Sequence, residues 1–417
     1  MDMRSRPVSQ RLPTTMLNKR SYKNMSRASF AQFFTTSPQI CAVVETFLQS
    51  GCVQNVLEPG AGRGDLVRLI QAKHPSSFID AIEIDKELVP IDQARQSKYV
   101  QWIYHDFLKW PTTKFYDLII GNPPYRRSSQ GCKQILFVEK AFDLLKTHGE
   151  MIMIVPSDFF RLTQAACILK RMLNDGHFTH VHMMHDELLF DGARIDTLVF
   201  RYQRTTGLGT TTLLNGKTVS LLASNGIVTF GVDATAEMIR LGDVCDIKVG
   251  LVSGCEAVFK DAALGNEEIL IKKNQRLKYI LVDSLTDPVI AARLSQFKTV
   301  LLDRRIRKCT EKDWFKWGAL RNYEFMKGSR AGSPCIYMYL LTRGNEPCFT
   351  GKVQLFGSRL LCVAPKIGRH LDLTILKDYF NSKEFRGRYT HAGRFKIGQR
   401  QLCNALVPQS RIIATDI

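Results

Sequence analysis

Asn122-Pro123-Pro124-Tyr125 is the stretch of this 417-residue chain best equipped for chemistry. An aromatic amino group carries two N–H donors, and the Asn122 side-chain oxygen and the Pro123 carbonyl can accept one each. Bonds to both hydrogens draw such a nitrogen from planar toward tetrahedral and free its lone pair for attack on an electrophilic methyl carbon. The prolines fix φ and hold that carbonyl in place. Tyr125 offers a ring on which an extruded base can stack. No cysteine stands beside the motif to act as a nucleophile, which argues against chemistry at carbon 5 of cytosine. An Asn-Pro turn at a strand end is common on its own, so its meaning depends on what precedes it.

Three candidate strand ends precede it. The first runs through Glu58-Pro59-Gly60-Ala61-Gly62-Arg63-Gly64-Asp65, an apolar strand entering a glycine-rich turn that allows a ligand close to the backbone. The second, Ala81 to Asp85, ends in acid about 20 residues after the glycines, where an α/β nucleoside site places a carboxylate for ribose hydroxyls; Glu83 is that candidate. The third, Tyr104-His105-Asp106-Phe107, offers an acid for an adenine amino group and an aromatic to cover the ring. No Lys-Ser or Lys-Thr follows the glycines, so the turn is not a P-loop. A ribose and an adenine without phosphate describe S-adenosylmethionine.

Positioning these ends requires a sheet. Short apolar runs at 55–57, 78–84, 100–104, 117–120, 150–155, 180–184 and 197–202 alternate with helical stretches such as 66–73 and 137–145. That alternation predicts a doubly wound, Rossmann-like α/β sheet with ligands at its strand ends. After Gln203 the texture changes: 205–216 is rich in Thr and Gly, and beyond it come irregular short strands and many turns. The expected organisation is a basic arm at 1–27, a catalytic domain at 28–204, a linker at 205–235 and a mixed α+β domain at 236–417.

The net charge of +19 is concentrated, with +6 in residues 1–30 and +14 in residues 298–400. A near-neutral body with a basic C-terminal quarter predicts that one end holds a polyanion. The clusters Arg304-Arg305-Ile306-Arg307-Lys308 and Arg386-Gly387-Arg388 are its expected contacts. The 11 cysteines are odd in number, irregular in spacing and without a C-x-x-C, which predicts reduced thiols and no metal site. No apolar run reaches the ~18 residues of a membrane span, so a cytoplasmic protein with no membrane partner is expected.

Taken together the motifs resemble the γ-class DNA adenine-N6 methyltransferases of the TaqI type, over about residues 28–408. Gln32 to Ser37 resembles the family's leading F/Y-T-P segment, although Thr36 stands where Pro is usual. The resemblance implies a class I fold with a C-terminal target-recognition domain and cofactor contacts at Thr35, Glu58, Pro59, Gly60, Ala61, Gly62, Glu83, Asp106, Phe107 and Pro124. It implies catalytic roles for Asn122, Pro123 and Tyr125, and for Phe190 as a second aromatic on a flipped adenine. Lys248 to Gly254 with Phe259, and Tyr379 to Ser382 with Leu406 to Pro408, resemble the family's C-terminal segments. The loop after Tyr125 is shorter than the family's and lacks its Lys-x-x-Tyr-rich insertion. The implied partners are double-stranded DNA and a cognate restriction endonuclease, with the enzyme a monomer. Three alternatives share some of these features: an rRNA adenine methyltransferase, a protein glutamine methyltransferase, and a nucleic-acid-binding protein that keeps only the fold.

Overall fold

Apolar residues alternate along the strands of the first half, and the alternation builds a core on each face of one sheet. Leu57, Ile119, Met151 and Met153 face one way; Val56, Leu118, Ile120 and Ile152 face the other. The structure is a computed structural model that describes residues 35, 37–48, 53–88, 97–125, 127–128, 131–184, 197–205, 211–231, 237–306, 309–391 and 393–412. The expected N-terminal arm, Phe190, Arg307 and Lys308 lie outside the described residues.

The strands are β1 (Asn55–Pro59), β2 (Phe78–Glu83), β3 (Val100–Tyr104), β4 (Tyr116–Gly121), β5 (Leu145–Pro156), β6 (Gly176–Met183), β7 (Thr197–Arg204), β8 (Thr211–Leu214), β9 (Lys217–Ser224) and β10 (Ile227–Gly231). They form one ten-stranded sheet in the order β10-β9-β8-β6-β7-β5-β4-β1-β2-β3. β3, β2, β1, β4 and β5 run parallel, and β7 lies antiparallel to β5 and β6. Helices α1 (Pro38–Phe47) and α2 (Asp65–Lys73) contribute to one core, α3 (Lys133–Asp143) and α4 (Ala166–Asp175) to the other. The strand order reverses at β1, between β4 and β2. Open α/β sheets bind ligands at such a point, outside the carboxyl ends of the strands. The glycine turn leaves β1 and the Asn-Pro-Pro-Tyr motif leaves β4, so both open onto it.

The segment 205–235 departs from expectation. Residues 211–231 within it are not linker: β8, β9 and β10 extend the catalytic sheet through Gly231. Their turns are Asn215-Gly216 (φ 46 and 79) and Asn225-Gly226 (φ 48 and 73). Positive φ at both central residues is the two-residue hairpin geometry that matches strand twist.

The second half is built on an antiparallel sheet of β11 (Cys245–Val249), β14 (Pro334–Tyr339), β15 (Cys348–Lys352) and β16 (Leu360–Pro365), in the order β11-β16-β14-β15. A separate ribbon pairs β12 (Glu267–Lys272) with β13 (Gln275–Tyr279). The halves meet through polar contacts. Arg161 Nη1 donates to the Arg388 carbonyl at 3.5 Å, Gln401 Nε2 to the Arg161 carbonyl at 3.2 Å, and Asn225 Nδ2 to Asn404 Oδ1 at 2.7 Å.

Two arginines expected on the polyanion surface are internal. Arg304 is 7% exposed and donates to the carbonyls of Leu301, Ser253, Trp314 and Lys316 at 2.6–2.9 Å. Arg388 is also buried; it donates to the Leu406 carbonyl at 2.8 Å and pairs with Glu384. A guanidinium has five donors; the carbonyl cage engages those of Arg304 without phosphate, whereas Arg388 Nε has no hydrogen-bond partner.

Candidate active site

The turn after β1 places Gly60, Gly62 and Gly64 at φ 74, 58 and 87, a region that favours glycine. It is tied to the end of β2: Ala61 N–H donates to the Ile82 carbonyl, and Gly62 N–H to Glu83 Oε2, both at 2.8 Å. Asp85 N–H donates to Glu83 Oε1 at 2.9 Å. Glu83 therefore clamps the turn while each carboxylate oxygen retains acceptor capacity for a hydroxyl. β4 closes in from the other side, where a Cβ on Gly121 would stand 3.3 Å from Pro59.

Glu58 is 2% exposed, and its Oε2 has no hydrogen-bond partner. Burial first, then the nearby Asp65 and Glu83 carboxyls, holds its pKa well above the ordinary carboxyl range. Burial also raises Glu83, against the pull of its backbone donors, and raises Asp65, against Arg63 and Arg68. Three acids raised together form a site whose electrostatics improve when a cation or hydrogen-bond donor enters. S-adenosylmethionine fits that requirement, with its sulfonium, its ammonium and its ribose hydroxyls. When bound it supplies the methyl group. Asp65 was not singled out from sequence, although it closes the glycine motif.

The end of β3 joins the same edge, with His105 N–H on the Glu83 carbonyl at 2.9 Å. Asp106 Oδ1 accepts from Leu108 N–H at 3.1 Å. Phe107 packs along the same edge. It is 2% exposed, packed 5.0 Å from Phe137, with the Lys140 ammonium 5.1 Å from its centroid. Phe137 in turn lies beside the glycine turn, 3.6 Å from a Cβ built on Gly60. The apolar wall next to that turn is thus a Phe107–Phe137 pair. Phe137 gave no signal in sequence beyond an apolar helix position.

At the end of β4, Asn122 Nδ2 donates to Thr35 Oγ1 at 3.1 Å, joining residues 87 apart in the chain. Thr35 is 5% exposed. The Tyr125 hydroxyl lies 3.0 Å from Asn122 Oδ1 and 3.2 Å from the Ile154 carbonyl, and also hydrogen-bonds Thr197. It can give its one proton to either oxygen, and burial keeps it protonated far above the ordinary phenol range. Asn122 Oδ1 accepts two hydrogen bonds, so a substrate amine can join or displace the phenol. Pro123 is buried, whereas Pro124 and the Tyr125 ring are half-buried. Thr35, Asn122 and Tyr125 are directly bonded, and Glu58, Gly62, Glu83 and Asp65 form the adjoining acidic group.

Residues 68–190 match the model of the Eco57I restriction-modification methylase family. This part of the chain is a methyltransferase domain. Over 385 residues the chain is 23% identical to Type II methyltransferase M.HindII of Haemophilus influenzae, covering 71% of this chain and 72% of that protein. It is 30% identical over 208 residues to Type II methyltransferase M.MjaIV of Methanocaldococcus jannaschii, covering 41% and 67%. Against M.HincII of Haemophilus influenzae the identity is 25%, over 49% of this chain and 43% of that one. Among solved structures, the methyltransferase subunit of a type I restriction-modification system from Streptococcus thermophilus has a TM-score of 0.36 at 16% identity, covering 47% and 51%. The type IIG restriction endonuclease BpuSI has a TM-score of 0.36 at 11% identity, covering 90% and 58%. Scores this low add nothing to the fold already described.

Proposed function

We propose that the chain is a DNA adenine-N6 methyltransferase that uses S-adenosylmethionine. The observation that carries this reading is the Asn122 amide, bonded to Thr35 and Tyr125 at the sheet's switch point beside the acids of the β1 and β2 ends. Asn122 Oδ1 and the Pro123 carbonyl accept the two hydrogens of the adenine amino group and orient its lone pair. Thr35 holds the amide by its nitrogen. Tyr125 supplies a ring face for the extruded base and a hydroxyl that moves between Asn122 and Ile154. Glu83 accepts the ribose hydroxyls, and Glu58 receives a donor its buried oxygen now lacks. Burial of the acids excludes water from the positive end of the cofactor.

The match to a restriction-modification methylase family and to type II methyltransferases supports DNA as the polymer. The basic second half supports it too. A second reading has one specific support: a tRNA1(Val) (adenine(37)-N6)-methyltransferase from a Flavobacteriaceae bacterium is 24% identical over 119 residues. Transfer of a tritiated methyl group to duplex DNA, single-stranded DNA and structured RNA, followed by nucleoside analysis, separates the readings. N6-methyladenosine confined to RNA contradicts the DNA assignment, and label in protein contradicts both.

A further inference from the structure

Several arginines of the second half are held within the fold. Arg304 is caged by carbonyls, Arg388 lies on the Leu406 carbonyl and Glu384, Arg330 lies on Pro365 and Asp246, and Arg293 pairs with Asp261. The β12–β13 ribbon is different. Lys272, Lys273, Arg276 and Lys278 are all exposed and fall within seven residues; the first three stand at its turn end and Lys278 lies further down, opposite Glu268. The ribbon's acids, Glu267 and Glu268, sit at its other end, and Glu267 is taken by Lys327 at 2.8 Å. At the tip, Glu346 lies 3.9 Å from Lys273, with both side chains more than half exposed. Such a pair holds little charge back from a polyanion.

The ribbon is also rigidly seated. Asn274 closes the turn at φ 59. Ile269 and Leu270 are buried, and Leu270 exchanges backbone bonds with Leu355 and Gly357 at 2.9 and 3.0 Å. Lys273 N–H donates to the Tyr339 hydroxyl at 3.0 Å, and Arg276 Nε to Gln354 Oε1 at 2.8 Å. Gly357 lies so close to Gly250 that a Cβ there would stand 2.2 Å from its carbonyl oxygen. The 355–357 segment therefore joins the ribbon, through Leu270, to Gly250 and Leu251.

We propose that the ribbon 267–279 is the element that grips duplex DNA, with its lysines and Arg276 on the backbone phosphates. This rests on the DNA reading of the function. Charge at the tip with acid at the base sets which end approaches the backbone. A preformed ribbon binds without an ordering cost.

The test replaces Lys272, Lys273, Arg276 and Lys278 by Gln together, in the full chain, and measures duplex binding across a salt series. The log–log slope should flatten by at least about 2, since each lost phosphate contact removes about 0.9. Affinity should fall across all sequences, while S-adenosylmethionine affinity and the urea midpoint stay at parent values. A parallel change of Lys298, Lys312 and Lys383 to Gln, three bases elsewhere in the same half, should leave the slope within about 1 of the parent. A quadruple variant with the parent's slope and affinity overturns the ribbon's role and leaves the methyltransferase reading intact. A parent protein that shows no salt-dependent binding to duplex DNA overturns both.

Discussion

Replacing Thr35 by Val keeps the shape of the side chain and removes the oxygen that receives Asn122 Nδ2 at 3.1 Å. Thr35 is buried and Asn122 half-buried, so the freed Nδ2 has partial access to water. A lost hydrogen bond contributes about 0.5–1.5 kcal/mol, and a donor left buried and unpaired costs about 1–3 kcal/mol. With partial hydration the loss should be about 1–2 kcal/mol. If that loss falls on the orientation of the amide, it lowers the single-turnover rate by about 5- to 30-fold. Thr35→Ser retains the hydroxyl and should recover most of the rate. The assay is single-turnover methyl transfer at saturating S-adenosylmethionine, with the cofactor dissociation constant measured separately by calorimetry. A Val variant with unchanged rate but proportionally weaker cofactor binding would refute the orienting role and leave Thr35 a cofactor contact only.

Further outcomes follow from the acids and from Arg304. Glu83→Gln removes a charged acceptor and should weaken S-adenosylmethionine binding by about 1.5–3 kcal/mol in calorimetry. Because the Glu58 pKa is raised in the folded protein, its favourable contribution is present below the unfolded carboxyl value and is lost as pH rises through the folded value. Glu58→Gln should therefore raise the melting temperature of the ligand-free protein above that folded value, and the gain should vanish as pH falls toward the ordinary carboxyl range. Binding of a cation at Glu58 favours the ionised carboxyl, so cofactor binding should release protons, detectable as a calorimetric enthalpy that varies with buffer. Arg304→Ala strips donors from four buried carbonyls and should cost more than about 3 kcal/mol in urea unfolding. The exposed neighbour Arg305→Ala should cost under about 0.5 kcal/mol.

The order of the catalytic elements is legible because apolar runs of four to six residues end at Gly, Glu, Asp and Asn, the residues that strand-end ligand sites need. Glu83, Thr35 and Asn122 could be placed as candidates from those endings, but their mutual bonds could not. The 87-residue separation of Thr35 and Asn122 is closed only by packing of α1 on the sheet. The strands at 211–231 were obscured by their Thr-rich, half-polar edge character, although Asn215-Gly216 and Asn225-Gly226 are hairpin signals. Arg304 reads as a basic cluster because its four acceptors come from residues 253, 301, 314 and 316, which no local pattern brings together. The Phe107–Phe137 contact is not legible, because Phe137 lies on a helix 30 residues away in the chain.

The central claim is that Asn122 holds the amino group that is methylated. Asn122→Ala, assayed for single-turnover transfer of a tritiated methyl group to duplex DNA with the cofactor dissociation constant measured alongside, tests it most directly. Removal of one such acceptor should lower the rate by about 10²–10³-fold, with N6-methyladenine as the parent's product and cofactor affinity within twofold of the parent. An Asn122→Ala enzyme with the parent's rate would contradict the account.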